Sequence, residues 1–283
     1  MRKRTKTYLI LLIGSLVLHL AACSSNKDAN ETKPQETTTE TAVKETKART
    51  EETTETAAEE VTEAGTEEVT GSLTAEEKSD EDEFYITKIT DGIFERIKGK
   101  SFKDDCTLSR DDLRYLHVLH KDIDGEVHEG EMIVNRHIAE DVLDILHELY
   151  DKDYPIEKIR LVDEYGADDE LSMEDNNSSS FNFRFISHTR RVSKHGLGLA
   201  VDINTLYNPY TKLVDGERII EPVTGGPYLN RDEEFDYKIE KGDLCYKLFI
   251  DHGFEWGGEW TDSKDYQHFE IPTEKISQWY PDY

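Results

Sequence analysis

Apolar positions divide the 283-residue chain into three stretches. Tyr8 to Leu18 is almost continuously apolar and follows the cations Arg2, Lys3, Arg4 and Lys6. From residue 24 to about residue 82, large apolar side chains become scarce and Thr, Glu, Ala and Lys take over. From Phe84 onward apolar residues return with regular spacing, the mark of a folded domain.

Within that last stretch, Ile86, Ile89, Ile93, Phe94 and Ile97 are spaced for one helix over Phe84–Ile97. Leu113–Leu119 and Gly130–Val134 alternate as strands do. Ile138, Val142, Ile145, Leu146 and Leu149 form one helical face, with Asn135 as the expected cap and Pro155 as the stop. Ile156–Val162 reads as a further strand, and polar Asp163–Ser180 as a long loop. The small and branched run Leu199–Ile203 is expected to enter a sheet, and Thr205–Phe235 to make an excursion over the surface. Asp243–His252 suits a short helix halted by Gly253, and His268–Ile271 a last strand. The expected fold class is α+β: a single catalytic domain, residues 84–283, with a small antiparallel sheet.

The other two stretches change the picture at the N-terminus. The apolar run is short of the about 20 residues that span a bilayer. Together with its cationic start it reads as a targeting segment over residues 1–22. Leu20-Ala21-Ala22-Cys23 resembles the lipobox of bacterial lipoproteins, which implies cleavage before Cys23 and lipid on its thiol. Such a chain would sit outside the cytoplasm, anchored to a bacterial membrane through its N-terminal lipid. Residues 23–83 have too little hydrophobicity and too much charge to build a core, and read as a disordered acidic tether. The formal charge of −28 argues against nucleic acid as a partner. With Cys23 lipidated, Cys106 and Cys245 remain, and their pairing as a disulfide is left open.

The chemistry concentrates in two short strings. Ser193-Lys194-His195-Gly196-Leu197-Gly198-Leu199-Ala200-Val201-Asp202 is answered by Asp265-Tyr266-Gln267-His268. Imidazole nitrogen and carboxylate oxygen suit Zn²⁺, and three protein ligands with an open fourth position make a catalytic site. His195, Asp202 and His268 can be those ligands, with Asp265 placed to handle the proton of a water. The histidines at 117, 120, 128, 137, 147, 188 and 252 carry no such pattern and read as structural or exposed.

S-x-H-x-x-G-x-A-x-D followed by D-x-x-H-F-E resembles the VanY-like zinc peptidases of peptidoglycan stem peptides, over about residues 85 to 275. These are D-alanyl-D-alanine carboxypeptidases and L-alanyl-D-glutamate endopeptidases. The resemblance implies one zinc held by His195, Asp202 and His268, and Asp265 as catalytic base. It also implies that Arg184, in Phe181-Asn182-Phe183-Arg184, steadies the charged intermediate. Ser193 is expected to donate a hydrogen bond that orients a ligand carboxylate. Leu197 stands where many relatives carry an aromatic, and Gln267 where many carry Pro. Neither is a ligand, so substrate fit is what they affect. The competing expectation is a lipoprotein that binds the cell wall on the same fold without cutting.

Overall fold

The structure is a computed structural model that describes residues 83–186 and 189–283. The targeting segment, Cys23, the tether and His188 lie outside the described residues. The chain opens with strand β1 (Tyr85–Lys88) and helix α1 (Asp91–Ile97), where one helix had been expected. Thr90 explains the division. Its side chain accepts the Ile93 N–H, so the helix can begin only after it, and β-branched Ile86 and Thr87 favour the strand before it.

β2 (Leu113–Lys121) and β3 (Val127–Asn135) form an antiparallel hairpin, and β1 pairs with β2 to give the order β1-β2-β3. Helix α2 (Ala139–Asp151) packs on β2. Its Val142, Ile145, Leu146 and Leu149 are essentially inaccessible, each contributing about 1.5–3 kcal/mol by burial. Asn135 does not cap this helix. It ends β3, and its amide donates to Leu197 O at 2.8 Å and to Tyr280 Oη at 2.9 Å. The cap position falls to Ile138, which makes no side-chain capping bond.

Strand β4 is confined to Lys158–Ile159, shorter than the run Ile156–Val162 suggested, and pairs in parallel with β5 (Asn177–Ser178). Between them the expected loop folds into helix α3 (Asp169–Glu174), started by Asp168, whose carboxylate accepts the Leu171 N–H. β6 (Ala200–Asp202) follows. The excursion after it is a second hairpin, β7 (Tyr210–Val214) and β8 (Glu217–Glu221). Asp215-Gly216 turns it, both residues at positive φ, the signature of a two-residue hairpin loop.

Helix α4 (Leu244–Asp251) starts at Asp243, which accepts the Tyr246 N–H, and Gly253 follows it at φ +85°. β9 (Glu255–Trp256), β10 (Lys264–Asp265), β11 (His268–Glu270) and helix α5 (Thr273–Trp279) complete the chain. The sheets β6-β11-β9 and β10-β7-β8 are antiparallel, as expected of this α+β fold. Cys106 and Cys245 are both free thiols, so the disulfide left open by the sequence is not formed. Among the described residues, no helix is long and apolar enough to cross a membrane.

Candidate metal centre

β6 and β11 pair so that Asp202 stands directly opposite His268. Directly opposed residues of an antiparallel pair project to the same face, about 4.5–5.5 Å apart at Cβ. The ladder therefore brings together two side chains 66 residues apart. His195 comes from a one-turn 3-10 helix, His195–Leu197, held against the end of β3. Asn135 N donates to Gly198 O at 2.8 Å, beside the side-chain bond to Leu197 O.

Gly198 lets this turn dock. It sits at φ +65°, and a Cβ there would lie 2.8 Å from Asn135 N and 3.2 Å from Val134 C, which are backbone atoms that cannot swing away. Gly198→Ala is expected to cost about 2–4 kcal/mol from left-handed backbone strain and overlap together. In a domain of this size that lowers Tm by roughly 5–15 °C. A melting curve checks it, and an unchanged Tm would mean that the turn does not depend on this close approach.

The donor atoms of the trio converge. His268 Nδ1 lies 2.9 Å from Asp202 Oδ1 and 3.0 Å from His195 Nε2, and His195 Nε2 lies 3.2 Å from Asp202 Oδ2. Both rings use their other nitrogen elsewhere. His195 Nδ1 donates to Ser180 O at 2.8 Å, and His268 Nε2 to Glu270 Oε2 at 3.0 Å. Each ring thus turns its remaining lone pair toward the other and toward a carboxylate, which repel unless a proton or a cation lies among them. A tetrahedral zinc with bonds of about 2.0–2.1 Å sets its ligands roughly 3.3 Å apart. The observed spacing is close to that, and both rings are buried. The three residues fit a metal ion.

Their titration reflects the same crowding. Burial works against charge on Asp202, but the His195 and His268 rings outweigh it and hold its carboxyl far below the usual carboxylate range. Burial also opposes a charged His268, yet hydrogen bonds to Asp202 and Glu270 prevail and lift its pKa to about 10. Glu270 is itself steadied by Lys194, whose ammonium lies 2.8 Å from its Oε1 and donates to Ile271 O at 2.8 Å.

Asp265 lines the same cleft, on β10. Its place depends on Gly257, where a Cβ would meet Asp265 Cβ and O at 2.7 Å. Burial pushes the Asp265 carboxyl up to about 7; the His268 ring opposes this and the Asp202 charge adds to it. Its Oδ1 is buried without a hydrogen-bond partner. Arg184 also lines the cleft, but its Nη1 pairs with Asp169 of α3 at 3.0 Å. Ser193, expected to donate to a ligand carboxylate, accepts instead. Its Oγ takes the Gly196 N–H at 2.9 Å and so shapes the turn that carries His195. Trp256 is core, its Nε1 bonded to Tyr266 O, while Trp260 stacks obliquely on the His268 ring at 5.4 Å.

Sequence reasoning missed Glu270, Lys194 and Ser180. The first two stood inside the quoted strings, and Glu270, two residues after His268, shares its face of the strand. Ser180 acts through its backbone carbonyl and leaves no signal in side-chain identity. A second group, Asp122, Glu126 and His128, gathers at the β2–β3 turn, largely exposed. There the Asp122 carboxylate accepts the Asp124 and Glu126 N–H groups and meets His128 at 2.8 Å, which is a turn-building role. The other described histidines keep local partners, as His120 does with Ile156 O and His252 with Asp141.

The cleft encloses about 460 Å³. Residues 187–271 match the protein family described as D-alanyl-D-alanine carboxypeptidase. This segment holds His195, Asp202, Asp265 and His268, so the resemblance drawn from the two motifs is borne out there. Arg184 lies just ahead of it. No curated protein and no solved structure matches the chain.

Proposed function

With a carboxypeptidase-family metallopeptidase domain at residues 187–271 as the premise, we propose that the protein hydrolyses peptide bonds in peptidoglycan stem peptides. The observation that carries the reading is the convergence of His195, Asp202 and His268 in a cleft also lined by a carboxylate, Asp265, that is not one of the converging donors. His195 Nε2, His268 Nδ1 and Asp202 would hold one zinc ion. That ion supplies Lewis acidity and brings the pKa of coordinated water to about 7.

The chain's own groups do the rest. Asp265, with a raised pKa and an unpartnered Oδ1, takes a proton from the attacking water and returns it to the leaving nitrogen. Arg184 offers its guanidinium to negative charge developing on the carbonyl oxygen, with Asp169 holding it in the cleft wall. Ser180 O and Glu270 fix the orientation of the two rings, so their donor nitrogens need no rearrangement.

Removal of terminal D-Ala is the favoured cut. Arg191 lines the cleft beside Thr273 and Tyr283, its guanidinium 4.4 Å from the Tyr283 ring, and suits a free carboxylate. L-Ala-D-Glu endopeptidase action would present the α-carboxyl of the γ-linked D-Glu at the same place, so Arg191 serves either cut. The family match over residues 187–271 carries the preference. The protein would act outside the cytoplasm, lipid-anchored through Cys23, with residues 23–83 as the tether that reaches toward the wall. Digestion of defined stem pentapeptides, read by mass spectrometry, tests the reading. Loss of one alanine is expected; an intact substrate with zinc-loaded protein would favour the wall-binding alternative.

A further inference from the structure

Gln267 is almost wholly buried, at 2% exposure, yet it lines the metal-site cleft. Its backbone is pinned, since its carbonyl accepts the Ile203 N–H at 3.0 Å just beyond Asp202. Its side chain lies close enough to Asp265 to favour the charged carboxylate. A carboxylate only accepts, so the NH₂ end of the amide must face it. Gln267 Oε1, the other end of the amide, is buried with no hydrogen-bond partner.

A buried acceptor left without a donor is costly, and native structures rarely keep one without a use. Here two such acceptors, Gln267 Oε1 and Asp265 Oδ1, occur two residues apart on the wall of one cleft. A substrate amide would bring the missing donor. We propose that Gln267 is a substrate-reading residue, whose Oε1 accepts the N–H of the scissile peptide bond next to the base Asp265.

The assignment rests on the peptidase reading given above and adds to it. When the C–N bond breaks, the nitrogen takes one proton from Asp265 and keeps the hydrogen it already carried. Gln267 holds that second hydrogen throughout, which orients the nitrogen lone pair toward the Asp265 proton.

The test pairs a substitution with a change in the substrate. Zinc-loaded full-length protein, wild type and Gln267→Met, is assayed on a stem pentapeptide and on its ester analogue, in which the scissile –CO–NH– is replaced by –CO–O–. Met fills a similar volume and accepts only weakly. Gln267→Met is expected to lower kcat/KM on both substrates through the lost influence on Asp265, and to lower it on the amide by about tenfold more than on the ester. Should Gln267→Met not fold by its melting curve, Gln267→Asn withdraws the acceptor and is expected to show the same split.

Equal losses on amide and ester would overturn the proposal, because they would place Gln267 behind Asp265 as a positioning group only. Unchanged rates on both substrates would overturn it as well. No turnover of the amide by wild type would instead remove the peptidase reading, and this inference with it.

Discussion

Asp265→Asn is expected to keep its full complement of zinc and to lose about 10²–10⁴-fold in kcat. The two outcomes separate because Asp265 stands outside the converging donor trio while lining the same cleft. Asn preserves the shape and the contact surface against Gly257, but it cannot take up and return a proton. Metal analysis, steady-state kinetics and a melting curve on one preparation check this. Undiminished turnover would remove Asp265 from the chemistry. Zinc lost together with activity would make Asp265 part of the metal-holding set instead.

His195→Ala is expected to reduce zinc from about one per chain to background after dialysis, with turnover falling to the same degree. Two donors remain, too few for a site whose ordinary complement is three protein ligands. Glu270→Gln should be milder, weakening zinc by about 10–100-fold, since it removes the carboxylate that orients His268 and leaves the ligand itself. The pH dependence has a definite sign. His268 must shed its proton to bind metal, and its metal-free pKa is raised to about 10, so zinc affinity should climb with pH across the neutral range. Competition against a chelator at several pH values measures it. Full zinc in His195→Ala would sink the donor assignment, and affinity flat with pH would show that His268 carries no proton to displace.

The site was more legible than the fold around it because its residues lie in two short strings whose types are rare in combination. Asp202 and His268 meet through the pairing of Leu199–Ile203 with His268–Ile271, both expected in a sheet, in a register that only the structure supplies. What stayed hidden was whatever acts through backbone or through a partner chosen by three-dimensional proximity. Ser180 orients His195 by a carbonyl, Asn135 leaves its expected capping role to brace the His195 turn, and Asp169 reaches Arg184 from a helix read as loop.

In the fold, α2 was readable because its apolar face is buried throughout, whereas the region before it was not. Ile86 through Ile97 fits helical spacing, but pairing with β2 and the cap at Thr90 overrule it. The β7–β8 hairpin carried its own signal in Asp215-Gly216, which was submerged by the charged and Gly-rich residues around it.

The spacing of the donor atoms also bears on which ion the site admits. Two ring nitrogens and one carboxylate, all about 3 Å apart, form a small nitrogen-rich cradle. Calcium wants six to eight oxygens at about 2.3–2.6 Å, and magnesium holds near-ideal octahedra while shedding water reluctantly. Neither finds its coordination shell here, however abundant it is in the surroundings. The ions that do suit the cradle are zinc and its first-row neighbours, among which copper binds such donors more tightly still. Fidelity for zinc over calcium and magnesium is therefore built into the pairing of β6 with β11. Fidelity over copper is not, and must come from what the surroundings supply.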